Sequence, residues 1–379
     1  MIGARLLLAV FLTLPAACVG DGDIGGEGGG SADAPGLLFA STVTGKVLII
    51  DAASQARIGK VGDGHSVTHG VGVLPGQRAL YYGNQTTDSL DRIHLSEDAT
   101  SGEVVRSLEV PARFKRVVAS RGGTVVGVGG EASRAPWVDT SYFYRVTDEG
   151  ESLIGEVAVT IAAAQGDDGW APRGISPRSG VAITADGETG WVSHDNNHTI
   201  TRFDLDPFEE IETRVIEPPA DADERWLGPS AHLTLSPDDT WLAVPEHEAG
   251  RVTLVRVDNP EERRAWSLPP GQIAEQVAFE RDGERMWVLG REGIAILGDE
   301  NHNTSIPSHL HVVEVAGLTL VRTEEWRAAM TRIVLPPTGD RLWAAGSFHT
   351  LVGFAIAGVG VPTETTLASG VQPLLGMDH

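Results

Sequence analysis

Two histidines stand four residues apart in "SHDNNHT", His194 and His198, and another such pair, His65 and His69, lies in "GDGHSVTHG". Neutral imidazoles are zinc and copper ligands, and on a helix that spacing would put each pair on one face. Three further histidines sit in short polar stretches: His232 in "SAHL", His247 in "PEHEAG" and His349 in "SFHT". Asp195, Glu246 and Glu248 stand beside them, placed to ligate directly or to orient an imidazole through its second nitrogen. A different chemistry, stacking on or pairing with a ligand, is open to Trp137 in "APWVDTS" and to Trp170 and Arg173 in "QGDDGWAPRGISPRS". A calcium or lactonase-type hydrolytic site would need several converging carboxylates or amides, for which Asn84, Asp167, Asp168 and Glu246 are candidates. The chain has no Gly-rich phosphate loop, no GxSxG elbow and no CxxC pair, so no motif names a reaction on its own.

What these residues can do depends on the elements that carry them. Five segments repeat one pattern: "VGVLPGQRALYYGN", "VAITADGETGWVSH", "LTLSPDDTWLAVPE", "VAFERDGERMWVLG" and "IVLPPTGDRLWAAG". Each is an alternating apolar strand, a turn and a second strand. The turns supply Asp, Gly and Pro where a hairpin needs positive or preset φ. "VVASRGGTVVGVGG" is a looser sixth copy, and "LLFASTVTGKVLIIDAAS" reads as a unit whose first strand is missing. Third and fourth strands follow, as in "TITRFDLDPFEEIETRVI" and "RVTLVRVDNPEERRAWSL". Seven units of about 49 residues, each with four antiparallel strands, predict a seven-bladed β-propeller over residues 37–379. Trp191, Trp241, Trp287 and Trp343 fall in or beside second strands and are expected to pack between neighbouring sheets. The C-terminal "GVQPLLGMDH" looks like the start of another unit; Val371–Met377 are expected to pair near Leu37–Ala40 and close the ring.

The hairpin followed by a "VLIID"-like strand resembles the YVTN family of β-propeller repeats. "LYYGN", "GWVSH" and "WLAVP" stand in the second-strand position, and "VLIID", "ITRFD" and "TLVRV" in the third; no unit carries the letters YVTN. The resemblance implies the propeller fold. Its members include ligand-binding, surface-layer and lactonase-related proteins, so it implies no single reaction.

On a propeller the helix-face argument for His194 and His198 lapses, because strands flank them. Asp195, Asn196 and Asn197 then read first as turn formers. The fold instead places His194, His198, His247 and His349 in loops between second and third strands, and His65, His69 and His232 in the connections entering first strands. All seven are expected on one face, where loops from different blades could assemble a zinc or copper site. His94 is expected in a third strand as a structural residue, and His379 ends the chain. His302, His309 and His311 lie in "ENHNTSIPSHLHVVEV", readable as a long loop that would bring His302 and His309 to the same face.

The formal net charge of -23, from 52 acidic and 29 basic residues, argues against a nucleic-acid partner, which would be bound by surplus Lys and Arg. At the N-terminus, Arg5, the apolar run Leu6–Leu14 and small residues before Cys18 have the order of a secretory signal. Cys18, the chain's single cysteine, sits where a bacterial lipoprotein would carry its lipid. Pro15 departs from the usual aliphatic residue there, and an ordinary cut near Ala17 is the alternative. The organisation expected is a signal over 1–17, a glycine-rich acidic tether over 18–36 and the propeller beyond, lipid-anchored in a bacterial cell envelope as a monomer, or else secreted or periplasmic and soluble. The sequence requires no cofactor. The first functional reading is a non-catalytic module that binds a small molecule or protein through its top-face loops. A zinc or copper carrier or metalloenzyme is the second, and a lactonase-like hydrolase the third.

Overall fold

The computed structural model describes residues 11–12, 37–41, 46–51, 54, 56–62, 71–74, 79–84, 87–110, 114–130, 138–160, 179–194, 199–216, 232–247, 249–292, 307–326, 330–335, 341–346, 350–356 and 363–366. They form seven four-stranded antiparallel sheets, each with its strands in sequence order. The inner strands of blades two to seven are Val71–Leu74, Phe114–Ala119, Ser179–Ile183, Thr234–Leu235, Gln272–Phe279 and Met330–Val334. Each touches the inner strand of the next blade, so together they surround the axis of a propeller. In blade one the strand beside Ala40 and Ser41 is Phe11–Leu12, which also touches blade seven. Phe11–Leu12 thus holds the position that the sequence reading gave to Val371–Met377, a segment outside the described residues.

The core lies between blades, as the repeated tryptophans require. Trp191 packs with Leu233, Leu242 and Val244 of blade five. Trp241 joins Phe279, Met286 and Val288 of blade six, and Trp287 joins Ile333, Leu342 and Phe354 of blade seven. Trp343 is buried as well. Three of the indoles also carry a guanidinium over the ring: Arg202 on Trp191, Arg264 on Trp241 and Arg322 on Trp287, a cation–π contact that lets the arginine stem cover the indole.

The turns after the inner strands share one hydrogen-bond plan. The first turn residue donates its N–H to the carbonyl five residues on: Ser120 to Val125 at 2.8 Å, Thr184 to Thr189 at 3.0 Å, Ser236 to Trp241 at 2.8 Å and Glu280 to Arg285 at 2.8 Å. The left-handed position is glycine in three of them, Gly123, Gly187 and Gly283, and Asp239 in blade five, at φ 55. An aspartate tolerates that region better than most residues, and here its carboxylate does more. Asp239 pairs with Arg121 from the turn of blade three and accepts the Ala185 N–H of blade four at 2.6 Å. Arg121 also donates to the Ser236 carbonyl at 2.9 Å. One end of the inner strands is therefore clamped across three blades.

Candidate functional site

The opposite end of the inner strands carries the chemistry. Counting back four residues from Ser120, Thr184, Ser236 and Glu280 gives one structural position in four blades: Arg116, Gly180, His232 and Gln276. In blade seven the register gives Arg332, which faces Ala345 as Arg116 faces Gly129, Gly180 faces Ser193 and Gln276 faces Leu289. The column thus contains two arginines, a histidine and a glutamine around one axis.

Beside this column, blades three, six and seven each carry an irregularity of register. The pairing steps over Lys115, Glu275 and Thr331, each immediately before the column residue. A bulge adds one unpaired residue and re-aims its neighbours, which is why bulges collect near functional sites. Blade four has none: Ser179 faces His194 and Gly180 faces Ser193 in regular pairing.

Glu275, on the bulge of blade six, is the centre of the best-defined cluster. His247 approaches its carboxylate through Nε2 at 3.1 Å from blade five, and Arg291 binds the same oxygen from the second strand of blade six. Burial alone would push the Glu275 carboxyl up. Arg291, His247 and Arg332 outweigh it and hold the group well below the usual carboxylate range. The cluster remains open to solvent at its rim, with the His247 side chain 31% and the Arg291 side chain 25% exposed. His247 Nε2 faces the carboxylate, and its Nδ1 is a buried atom with no hydrogen-bond partner among the described residues.

A second contact crosses a whole blade. Arg116 of blade three donates from Nη2 to Nε2 of His232 in blade five, 2.5 Å away. The column residue of the blade between them is Gly180. Gly129, opposite Arg116, serves the same approach: a Cβ there would stand 2.4 Å from the Ser179 carbonyl and 3.0 Å from Arg116 Cβ.

The other described histidines lie in strands of blades two, four and six. His194 is buried at the end of its strand, with Nδ1 3.4 Å from Ser179 Oγ and Nε2 without a hydrogen-bond partner among the described residues. Burial lowers its pKa to about 4, so the ring is neutral. His194, His232 and His247 therefore turn to three separate partners. His309 and His311 correct the reading of a long loop, since the third strand of blade six begins at Ser308 and includes both. Their rings stack at 6.0 Å. His309 meets Glu292 at 3.1 Å, while His311 lies between Thr323 and Gln272 at 2.9 and 2.7 Å and against Trp266. Burial, with a smaller contribution from His309, lowers the His311 pKa to about 4. His94 occupies a third strand. Among the described residues no group of three or more His, Cys, Asp or Glu side chains is arranged to hold a metal ion.

Glu246 turns to Arg251 and Thr253 of its own blade, and Asn84 to Asp91 at 3.3 Å. His65, His69, His198, His302, His349, Trp137, Asp167, Asp168, Trp170, Arg173, Asp195, Glu248 and Cys18 lie outside the described residues. Sequence reading did not single out Arg116, Glu275, Arg291 or Arg332. The signal for two of them was present as the column four residues before each turn.

No family model matches the chain, and no curated protein matches its sequence. Solved structures match its fold. The periplasmic gluconolactonase PpgL of Pseudomonas aeruginosa aligns at TM-score 0.64 and 15% identity, over 86% of this chain and 92% of that one. A β-propeller domain of Cps50 (Swd1) from Myceliophteria thermophila aligns at 0.58 and 14%, over 82% and 90%. Hydrazine synthase of Kuenenia stuttgartiensis aligns at 0.59 and 15%, over 85% and 93%. At such identities the likeness is one of fold: the protein is a seven-bladed β-propeller.

Proposed function

We propose that the protein is a YVTN-type propeller of the bacterial cell envelope, lipid-anchored through Cys18, that binds a small molecule where the inner strands meet the top face. The observation that carries this reading is the Glu275 cluster: a bulge turns a carboxylate out of the sheet ladder, and His247, Arg291 and Arg332 converge on it from three blades. A packing role alone does not call for charged groups from three blades to meet at a solvent-open rim. The order of Arg5, the apolar run Leu6–Leu14 and Cys18 supports the location; cleavage before Cys18 would take Phe11–Leu12 out of blade one.

A thermal-shift screen of polar metabolites against the wild-type chain and a His247→Ala/Arg291→Ala variant tests the site. Compounds that raise the wild-type melting temperature and leave the variant unmoved are expected. No stabilising compound, or equal stabilisation of both proteins, would refute it. Cys18→Ala is expected to release the protein from the membrane fraction.

Lactone hydrolysis is the second reading, favoured by one feature. An imidazole paired with a carboxylate, as His247 is with Glu275, is a proton-transfer group, and one fold neighbour is a gluconolactonase. Turnover of a sugar lactone that disappears in His247→Ala would establish it.

A further inference from the structure

Blade one is built against the rule that the other blades follow. In blades two to seven the inner strand comes from the segment that follows the outer strand of the blade before. In blade one it is Phe11–Leu12, which pairs with Ser41 and Ala40 and touches the inner and second strands of blade seven. These two residues belong to the apolar run before Cys18, and this step rests on the reading above that the chain is anchored through Cys18. Processing there removes them. What is left is a backbone edge along Leu37–Ser41, whose Leu38 and Phe39 belong to the buried core. An unpaired edge of this kind is open to pairing with another chain.

We propose that Phe11–Leu12 is a placeholder whose position Val371–Met377 takes in the processed chain. Connection lengths carry the assignment. In the three shortest junctions between consecutive blades, four residues separate Glu109 from Phe114, four separate Ser267 from Gln272 and three separate Trp326 from Met330. Four also separate Thr366, which ends the outer strand of blade seven, from Val371. At these lengths the chain passes from the rim of one blade to the axis of the next, and the blade after the seventh is blade one. Val371, Leu374, Leu375 and Met377 give the segment the apolar content of an inner strand. Pro373 is compatible with that place, because each inner strand is the last in its sheet and an edge strand accepts a proline whose missing N–H would face away from the partner. Leader and C-terminal segment therefore compete for one strand position. While the leader is seated, blades one and seven are joined by residues that processing removes; afterwards the segment that follows blade seven joins them.

Hydrogen exchange read by mass spectrometry tests this on two proteins, the full chain and a chain lacking residues 1–17. In the shorter chain the amides of residues 37–41 should stay protected, and those of residues 371–377 should exchange about tenfold more slowly than in the full chain. Loss of protection at residues 37–41, or unchanged exchange at residues 371–377, overturns the proposal. A shorter chain that does not fold overturns it too, because nothing has then replaced the leader. Leu374→Asp/Leu375→Asp should lower the melting temperature of the shorter chain and leave that of the full chain unmoved; equal effects on both would refute the competition. Where the double variant fails to fold, Leu374→Ala gives the same comparison. The N-terminal mass of protein extracted from membranes separates the two readings. An intact Met1 overturns anchoring through Cys18 and with it the occasion for the exchange, whereas a chain that begins at Cys18 with residues 37–41 unprotected overturns the exchange alone.

Discussion

The two ends of the inner strands use the same residue type for opposite purposes. At the turn end, Arg121 of blade three reaches past blade four to a carboxylate, Asp239 of blade five, and the Ala185 N–H closes the arrangement. At the top end, Arg116 of the same strand region reaches past the same blade to an imidazole, His232. The first contact joins opposite charges and is complete in itself. The second joins a guanidinium to a ring nitrogen. The geometry of reach is shared; the chemistry of the acceptor differs.

That contrast can be broken most severely at the clamp. Arg121→Ala leaves Asp239 half-buried beside Asp186 and should cost about 3–5 kcal/mol in chemical denaturation, whereas Arg116→Ala should change stability by less and ligand affinity by more. Equal stability losses at the two ends would erase the distinction.

Acid should act selectively on the other end. His194 and His311, with pKa values lowered to about 4 from 6.5, bind fewer protons folded than unfolded. Their contribution is therefore fully present above pH 6.5 and lost as pH falls toward about 4. Each should account for about 2–3 kcal/mol over that window, and His194→Asn should flatten the stability profile there. A profile unchanged by the substitution would show that burial does not hold this ring neutral.

Much of the fold was legible because its signals are local. Turn chemistry in "ADGE", "PDDT" and "RDGE" and the tryptophan after each turn define hairpins within a few residues of sequence. The site was less legible because it depends on register. Glu275 looks like one polar residue in "QIAEQVAF", and only the pairing shows that the strand steps over it. His232 and His247 were identified by type and loop position, but their partners Arg116 and Glu275 lie 116 and 28 residues away in sequence, beyond any spacing rule. The histidines were read as potential metal ligands because the fold was expected to bring seven of them to one face; of the described ones, His194, His232 and His247 lie against Ser179, Arg116 and Glu275.

The two contacts that pass blade four have a mechanical meaning as well. A propeller is ordinarily a closed chain of nearest neighbours, in which a disturbance passes from blade to blade. The contacts that span blade four at both ends of its inner strand add two chords to that circle, tying the third blade directly to the fifth. The rim segments of blade four can then be lengthened, exchanged or used to carry an inserted module, while the residues around the axis keep their separation.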